Sequence, residues 1–308
     1  MEKIREVARC PGLYCGRQLL ENGSWSECGA CPRGFKVNET SMCTPCTDQP
    51  DFYDCLYLGF MVLVPLMFHI FCIDNISSVR TSYSSSTGIL VLHLSAFLEV
   101  GLAAVLTLYF SDPIGTFEVR SCRVRMLSDW YTLLHNPNPN FQETIHCTQE
   151  AVYPLYTMVL IFYAFSVCIM MLIRPWLAKY FVPKGGKVTI YAALYLYPIL
   201  AVLHSVFGGL IYYSFPYIII ILSVVSSAGH FAVELDQTVR NLLLSAIRDL
   251  RSAVVVIGHW ALHAYGIVAL TELKDPVFHL MLMGLVPLPA FFYVMTARFT
   301  DPHKVHTD

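Results

Sequence analysis

Six cysteines lie between residues 10 and 46, and four of them form two close pairs, Cys28-x2-Cys31 and Cys43-x2-Cys46. That is the spacing with which four thiolates hold a structural zinc in a reducing compartment. With Cys10 and Cys15 the set is even, and in an oxidising compartment an even set pairs as three disulfides. The sequons Asn22-Gly23-Ser24 and Asn38-Glu39-Thr40 fall inside the same module. Asn-linked glycans are added only on the lumenal side, so two acceptor sites favour a lumenal disulfide module over zinc. Cys122 and Cys147 are expected to form a fourth pair, which leaves Cys55, Cys72 and Cys168 as apolar thiols in or beside a membrane.

A second set of residues could do chemistry inside the membrane. Glu99 is the only Asp, Glu, Lys or Arg in the apolar spans set out below. A carboxylate at that depth must be protonated or paired. Ser95 shares its helical face, His93 does not, and any other partner must come from another helix. His259 and His263 stand at i,i+4 spacing, so both rings fall on one face. With Glu99 they would make a two-histidine, one-carboxylate set of the kind that holds a catalytic zinc. Ser226-x3-His230 adds a loose resemblance to the seven-span metal hydrolases of the ceramidase and progestin-receptor superfamily. The alternative is structural: the seven membrane histidines, at 69, 93, 204, 230, 259, 263 and 279, act as neutral hydrogen-bonders between helices. This pattern by itself assigns no metal, catalytic residue or cofactor.

The elements that must position these groups are membrane helices. The 308 residues are 56% hydrophobic and 14% charged, with mean hydropathy +0.55. Soluble domains carry about 25% charge. A net charge of -2 provides no basic footprint for nucleic acid, and no phosphate-binding glycine motif is present. Residues 55–73, free of Asp, Glu, Lys and Arg, give roughly 29 Å of helix, enough for one hydrocarbon core. Further apolar runs cover 87–110, 151–173, 188–233, 252–271 and 276–297. The 188–233 run is about twice one crossing. It is expected to fold back at Gly208, Gly209 and Ser214-Phe215-Pro216, giving spans 188–212 and 216–233. The fold class is therefore an all-α, seven-transmembrane helical bundle, with a cysteine-rich lumenal module at 1–54, a lumenal loop at 111–150 and a short cytosolic tail at 298–308.

Nothing in the first 25 residues reads as a signal peptide, so the first span is expected to carry the N-terminus across. With the N-terminus lumenal, ten basic residues fall on cytosolic segments: Arg80, Arg174, Lys179, Lys184, Lys187, Arg240, Arg248, Arg251, Arg298 and Lys304. Four fall on lumenal loops, so the bias has the expected sign. Within the long loop, Ser128-Asp129 is expected to cap a short helix through Trp130, Tyr131, Leu133 and Leu134, stopped by Asn136-Pro137-Asn138-Pro139. Residues 234–251 place Leu235, Val239, Leu242, Leu243, Ile247 and Leu250 at helical spacing among charges, as a surface-lying helix or a docking face.

Several stretches in order resemble one family. They include Leu13-Tyr14-Cys15-Gly16, Cys31-Pro32-Arg33-Gly34, Tyr57-Leu58-Gly59-Phe60, Ser121-Cys122-Arg123-Val124, Met126-Leu127-Ser128-Asp129-Trp130-Tyr131 and Glu150-Ala151-Val152-Tyr153-Pro154-Leu155-Tyr156. Ile190-Tyr191-Ala192-Ala193-Leu194 and His263-Ala264-Tyr265-Gly266 continue the match. Together they resemble the Jun N-terminal kinase-associated membrane protein family (JAMP). The resemblance implies a multi-pass protein of the endoplasmic reticulum membrane, embedded in lipid. It also implies an adaptor that recruits the proteasome and a RING ubiquitin ligase for degradation of misfolded proteins and that binds Jun N-terminal kinase. An intramembrane zinc-dependent hydrolase using His259, His263 and Glu99, and a seven-helix receptor, are the rival readings.

Overall fold

A computed structural model describes residues 9–79, 86–134, 147, 149–183, 185–234 and 237–300. Arg80, Lys184, Leu235, the Asn136-Pro137-Asn138-Pro139 stop and the tail beyond residue 300 lie outside them. Two two-stranded antiparallel ladders form in the cysteine-rich module. Strand β1 (Cys15–Gly16) pairs with β2 (Gly29–Ala30), and β3 (Phe35–Val37) pairs with β4 (Cys43–Pro45). Strands this short have little core and depend on cross-links.

The rest is helical: α1 (Phe52–Val79), α2 (Ser86–Phe110), α3 (Leu155–Phe181), α4 (Gly186–Ala232), α5 (Val239–Arg248), α6 (Leu250–Thr271), α7 (Pro276–Met283) and α8 (Leu288–Thr300). Among the described residues, six helical segments are long and apolar enough to cross a membrane. The chain divides into two compact units, one ending at Ile211 and the other beginning at Tyr212.

Two sequence expectations fail here. The fold-back at Gly208 to Pro216 is absent, because α4 continues through it for 47 residues. The glycines have a packing reason instead. A Cβ at Gly209 would stand 2.7 Å from the Cβ of Trp130, and one at Gly208 3.1 Å from its ring. Small residues let another element approach a membrane helix closely, whereas in a soluble sequence the same residues mark a turn. The third span does not stop before Arg174 either. Helix α3 carries that residue inside it, fully buried, and runs on to Phe181.

In the second unit the expected helix from residue 234 starts later and breaks once. Thr238 caps α5 by accepting from the amide of Asn241, and Asp249 caps α6 by accepting from Ser252. Phe231, Leu242, Val256, Ala290 and Val294 form the core of this unit. The last apolar run is split into α7 and α8 by the turn at residues 284–287.

Candidate functional site

The first unit is organised around one buried charge pair. Four helices each contribute to it: His69 from α1, Ser95 and Glu99 from α2, Arg174 from α3 and Tyr197 from α4. All five side chains are buried. Arg174 meets the Glu99 carboxylate with two parallel hydrogen bonds, Nε to Oε1 at 3.2 Å and Nη2 to Oε2 at 2.5 Å. Ser95, one turn before Glu99, donates to Oε1 from the same helix. The guanidinium therefore neutralises the carboxylate that the sequence leaves without a charge partner. Bidentate geometry also fixes the rotation of α2 against α3.

The remaining guanidinium donor determines the state of His69. Nη1 of Arg174 lies 2.9 Å from Nδ1 of His69, and arginine can only donate. Nδ1 is therefore the unprotonated nitrogen, and Nε2 carries the proton toward Tyr197 Oη at 3.2 Å. His69 is neutral, with its two nitrogens spent on α3 and α4.

His204 is held the same way. Its Nε2 donates to the Tyr156 carbonyl at 3.1 Å, and its Nδ1 accepts from Tyr57 Oη at 3.3 Å. The Trp130 ring stands edge-on to His204, with centroids 6.2 Å apart, and edge-on to Tyr57 at 5.8 Å. This aromatic cluster anchors the long loop to the bundle. Among its described residues the loop forms one turn of 3-10 helix, Leu127–Trp130. Its N-cap is Met126 rather than Ser128 or Asp129, and the Asp129 carboxylate reaches back to that end.

Asp129 also joins the loop to the cysteine module. Its Oδ2 accepts from Lys36 Nζ at 3.1 Å and from the Arg125 amide at 2.8 Å. Its Oδ1 accepts from Tyr14 Oη at 3.0 Å. Tyrosine has one proton and a carboxylate only accepts, so Ser128, 2.9 Å from Tyr14 Oη, must be the donor in that contact. Burial raises the Tyr14 hydroxyl pKa to about 12, and the negative charge of Asp129 pushes the same way.

The disulfides reinforce the joint. Cys10 pairs with Cys28 and Cys31 with Cys43 inside the module, while Cys15 pairs with Cys147 and Cys46 with Cys122. All eight sequence-selected cysteines are thus oxidised, and Cys55, Cys72 and Cys168 are free. The connectivity differs from expectation. Cys122 and Cys147 do not join each other but each reach back to the module, and Cys28, Cys31, Cys43 and Cys46 are consumed in three different bonds. Both sequons sit on turns: Asn22 Oδ1 accepts from the Ser24 hydroxyl at 2.7 Å, and Asn38 Oδ1 from that of Thr40 at 2.8 Å.

In the second unit His263 Nδ1 lies 3.2 Å from Ser223 Oγ, and His230 Nε2 lies 2.8 Å from Ser252 Oγ. The rings of His230 and His259 are 6.3 Å apart. Among the described residues, no three or more of His, Cys, Asp and Glu are gathered as a metal ion would need.

The sequence missed Arg174 because it stands at the end of an uncharged run and reads as a cytosolic flank. The available signal was the unpaired Glu99, which required a cation from another helix.

Apolar helices pinned by a buried charge pair, with a disulfide-tethered extramembrane module at one end, define a multi-pass helical membrane protein. The chain belongs to the JNK1/MAPK8-associated membrane protein family, whose model matches residues 10–302. It is 48% identical over 304 residues to the JNK1/MAPK8-associated membrane proteins of Homo sapiens and Mus musculus, covering 96% of this chain and 95% of each relative. A homolog from Caenorhabditis elegans is 29% identical over 307 residues, covering 94% of this chain and 93% of the relative. No solved structure matches the chain.

Proposed function

We propose that this protein is an adaptor of the endoplasmic reticulum membrane. Its disulfide module stands in the lumen, glycosylated at Asn22 and Asn38, and its C-terminal tail lies in the cytosol. There its loops gather a RING ubiquitin ligase and the proteasome for the degradation of misfolded proteins and bind Jun N-terminal kinase. The observation that carries the kinase link is the 48% identity, over 96% of the chain, to proteins named for association with that kinase. The lumenal placement is supported by four disulfides, which persist in an oxidising compartment. The degradation role rests on family resemblance alone.

The test is affinity purification of the full-length chain from mild detergent after proteotoxic stress, with glycosidase digestion of the same sample. Co-purification of Jun kinase, a RING ligase and proteasome subunits, on a protein whose glycans remain high-mannose, is the expected result. Kinase without ligase or proteasome would remove the degradation role. Complex glycans and delivery to the cell surface would replace the adaptor with a receptor.

A further inference from the structure

We propose that a cavity at the module end of the first unit binds one zwitterionic glycerophospholipid, with phosphate on Arg120 and a quaternary ammonium on Glu118 and Phe117. The cavity is about 830 Å³, within the range of small-molecule sites. It lies among α1, α2, α3, the segment leading into α1 and the loop segment 117–120. Its two ends differ in chemistry. The deep wall is hydrocarbon: Leu58 and Met61 from α1, Ala104 and Leu108 from α2, Val159 and Phe162 from α3. The hydroxyl of Thr107 also lines it but is spent on the Ala103 carbonyl of its own helix at 2.7 Å, and the free Cys55 thiol, a weak hydrogen-bonder, is the other polar group of the helical wall.

The lining from outside the helices is polar, with Thr47, Gln49, Glu118 and Arg120, and includes the ring of Phe117. Among the described residues neither Glu118 nor Arg120 is in an ion pair, although both line the same cavity. One guanidinium and one carboxylate at the membrane surface match a headgroup that carries both signs. Guanidinium takes phosphate by paired hydrogen bonds, and an ammonium is attracted to a carboxylate and to an aromatic face. A purely anionic headgroup would face Glu118, and a neutral diacylglycerol would leave both charges unanswered. The apolar wall adjoins the spans where acyl chains already run, so the chains enter without leaving hydrocarbon.

The experiment uses the full-length protein in nanodiscs containing a trace of phosphatidylcholine with a photoreactive acyl chain. Matched phosphatidylglycerol and diacylglycerol probes run in parallel, and labelled peptides are mapped by mass spectrometry. Phosphatidylcholine is expected to label the cavity-lining stretches of α1, α2 and α3 about tenfold more than diacylglycerol, the ratio that about 1.4 kcal/mol of headgroup contact provides. Ala104→Trp, which fills the wall, should abolish this labelling. Arg120→Gln, an exposed change that leaves packing alone, should erase the preference over diacylglycerol while the bundle stays folded. Equal labelling by diacylglycerol, stronger labelling by phosphatidylglycerol, or label spread evenly over the lipid-facing surfaces of all spans would each overturn the proposal.

Discussion

Arg174 and Glu99 are the residues whose separate loss should cost most. Removing one partner leaves a buried charge uncompensated, which costs about 3–5 kcal/mol, whereas replacing both with apolar side chains of similar volume is often neutral. Arg174→Met alone should therefore strongly lower the thermal stability of the detergent-solubilised protein, and Glu99→Leu combined with Arg174→Met should restore most of it. If the double variant is as unstable as the single, the pair does more than neutralise itself. Tyr14 makes a separate claim about pH. Its hydroxyl pKa stands at about 12 in the folded protein against 10.0 ordinarily. The unfolded chain therefore gives up that proton first, and the contribution is intact below pH 10 and lost as pH rises toward about 12. Denaturant unfolding followed across that window should fall less steeply for Tyr14→Phe than for the parent chain. Equal slopes would show that Tyr14 ionises alike in both states. Neither centre could be read whole from the sequence. Glu99 announced itself by being charged in an apolar run, but nothing local to Tyr14, Lys36 or Asp129 reveals that they meet across some ninety residues or more.

At the scale of elements, apolar run length located the helices well. The apolar stretch 87–110, charged only at Glu99, became α2 (Ser86–Phe110), and 252–271 lies within α6 (Leu250–Thr271). Run length failed where a charge or a glycine had a tertiary use. Arg174 did not end α3 because Glu99 neutralises it, and Gly208-Gly209 did not turn α4 because Trp130 packs there. These two readings of Gly209 predict opposite outcomes. In a helix interior with room for a methyl group, Gly→Ala gains roughly 0.5–1 kcal/mol. Here the new Cβ would lie 2.7 Å from Trp130 Cβ and 2.8 Å from the Tyr131 ring, and overpacking of that kind costs about 1–3 kcal/mol. Gly209→Ala should therefore lower the melting temperature of the purified protein. A rise would show that the close approach of the 3-10 turn to α4 is not needed. The caps of the second unit were there to be read: Thr238 before α5, and Asp249 three residues before Ser252. The apolar periodicity masks them because it runs through both helices.

For the whole molecule, cysteine number was legible and connectivity was not, since eight cysteines allow 105 pairings and spacing does not choose among them. Two of the four bonds leave the module for a loop 76 and 132 residues further on. The module, the loop and both sequons must consequently share one compartment, whichever way the bundle is inserted. The proposed adaptor places that compartment in the lumen, where disulfides persist and sequons are glycosylated, and places Arg298 and Lys304 in the cytosol. In sealed microsomes, Asn22→Gln and Asn38→Gln should each remove one glycan step from the full-length protein, while a C-terminal epitope should be cut away by added protease. The second readout also counts crossings. Helix α4 has 47 residues, about 70 Å against a hydrocarbon core of about 30 Å, and no Asp, Glu, Lys or Arg from Val188 to Val233. A cleaved epitope with glycosylated sequons requires an odd number of crossings, so these residues would supply two. An epitope protected together with the glycans requires an even number, and α4 would then cross once with the remainder of its apolar length covered by protein.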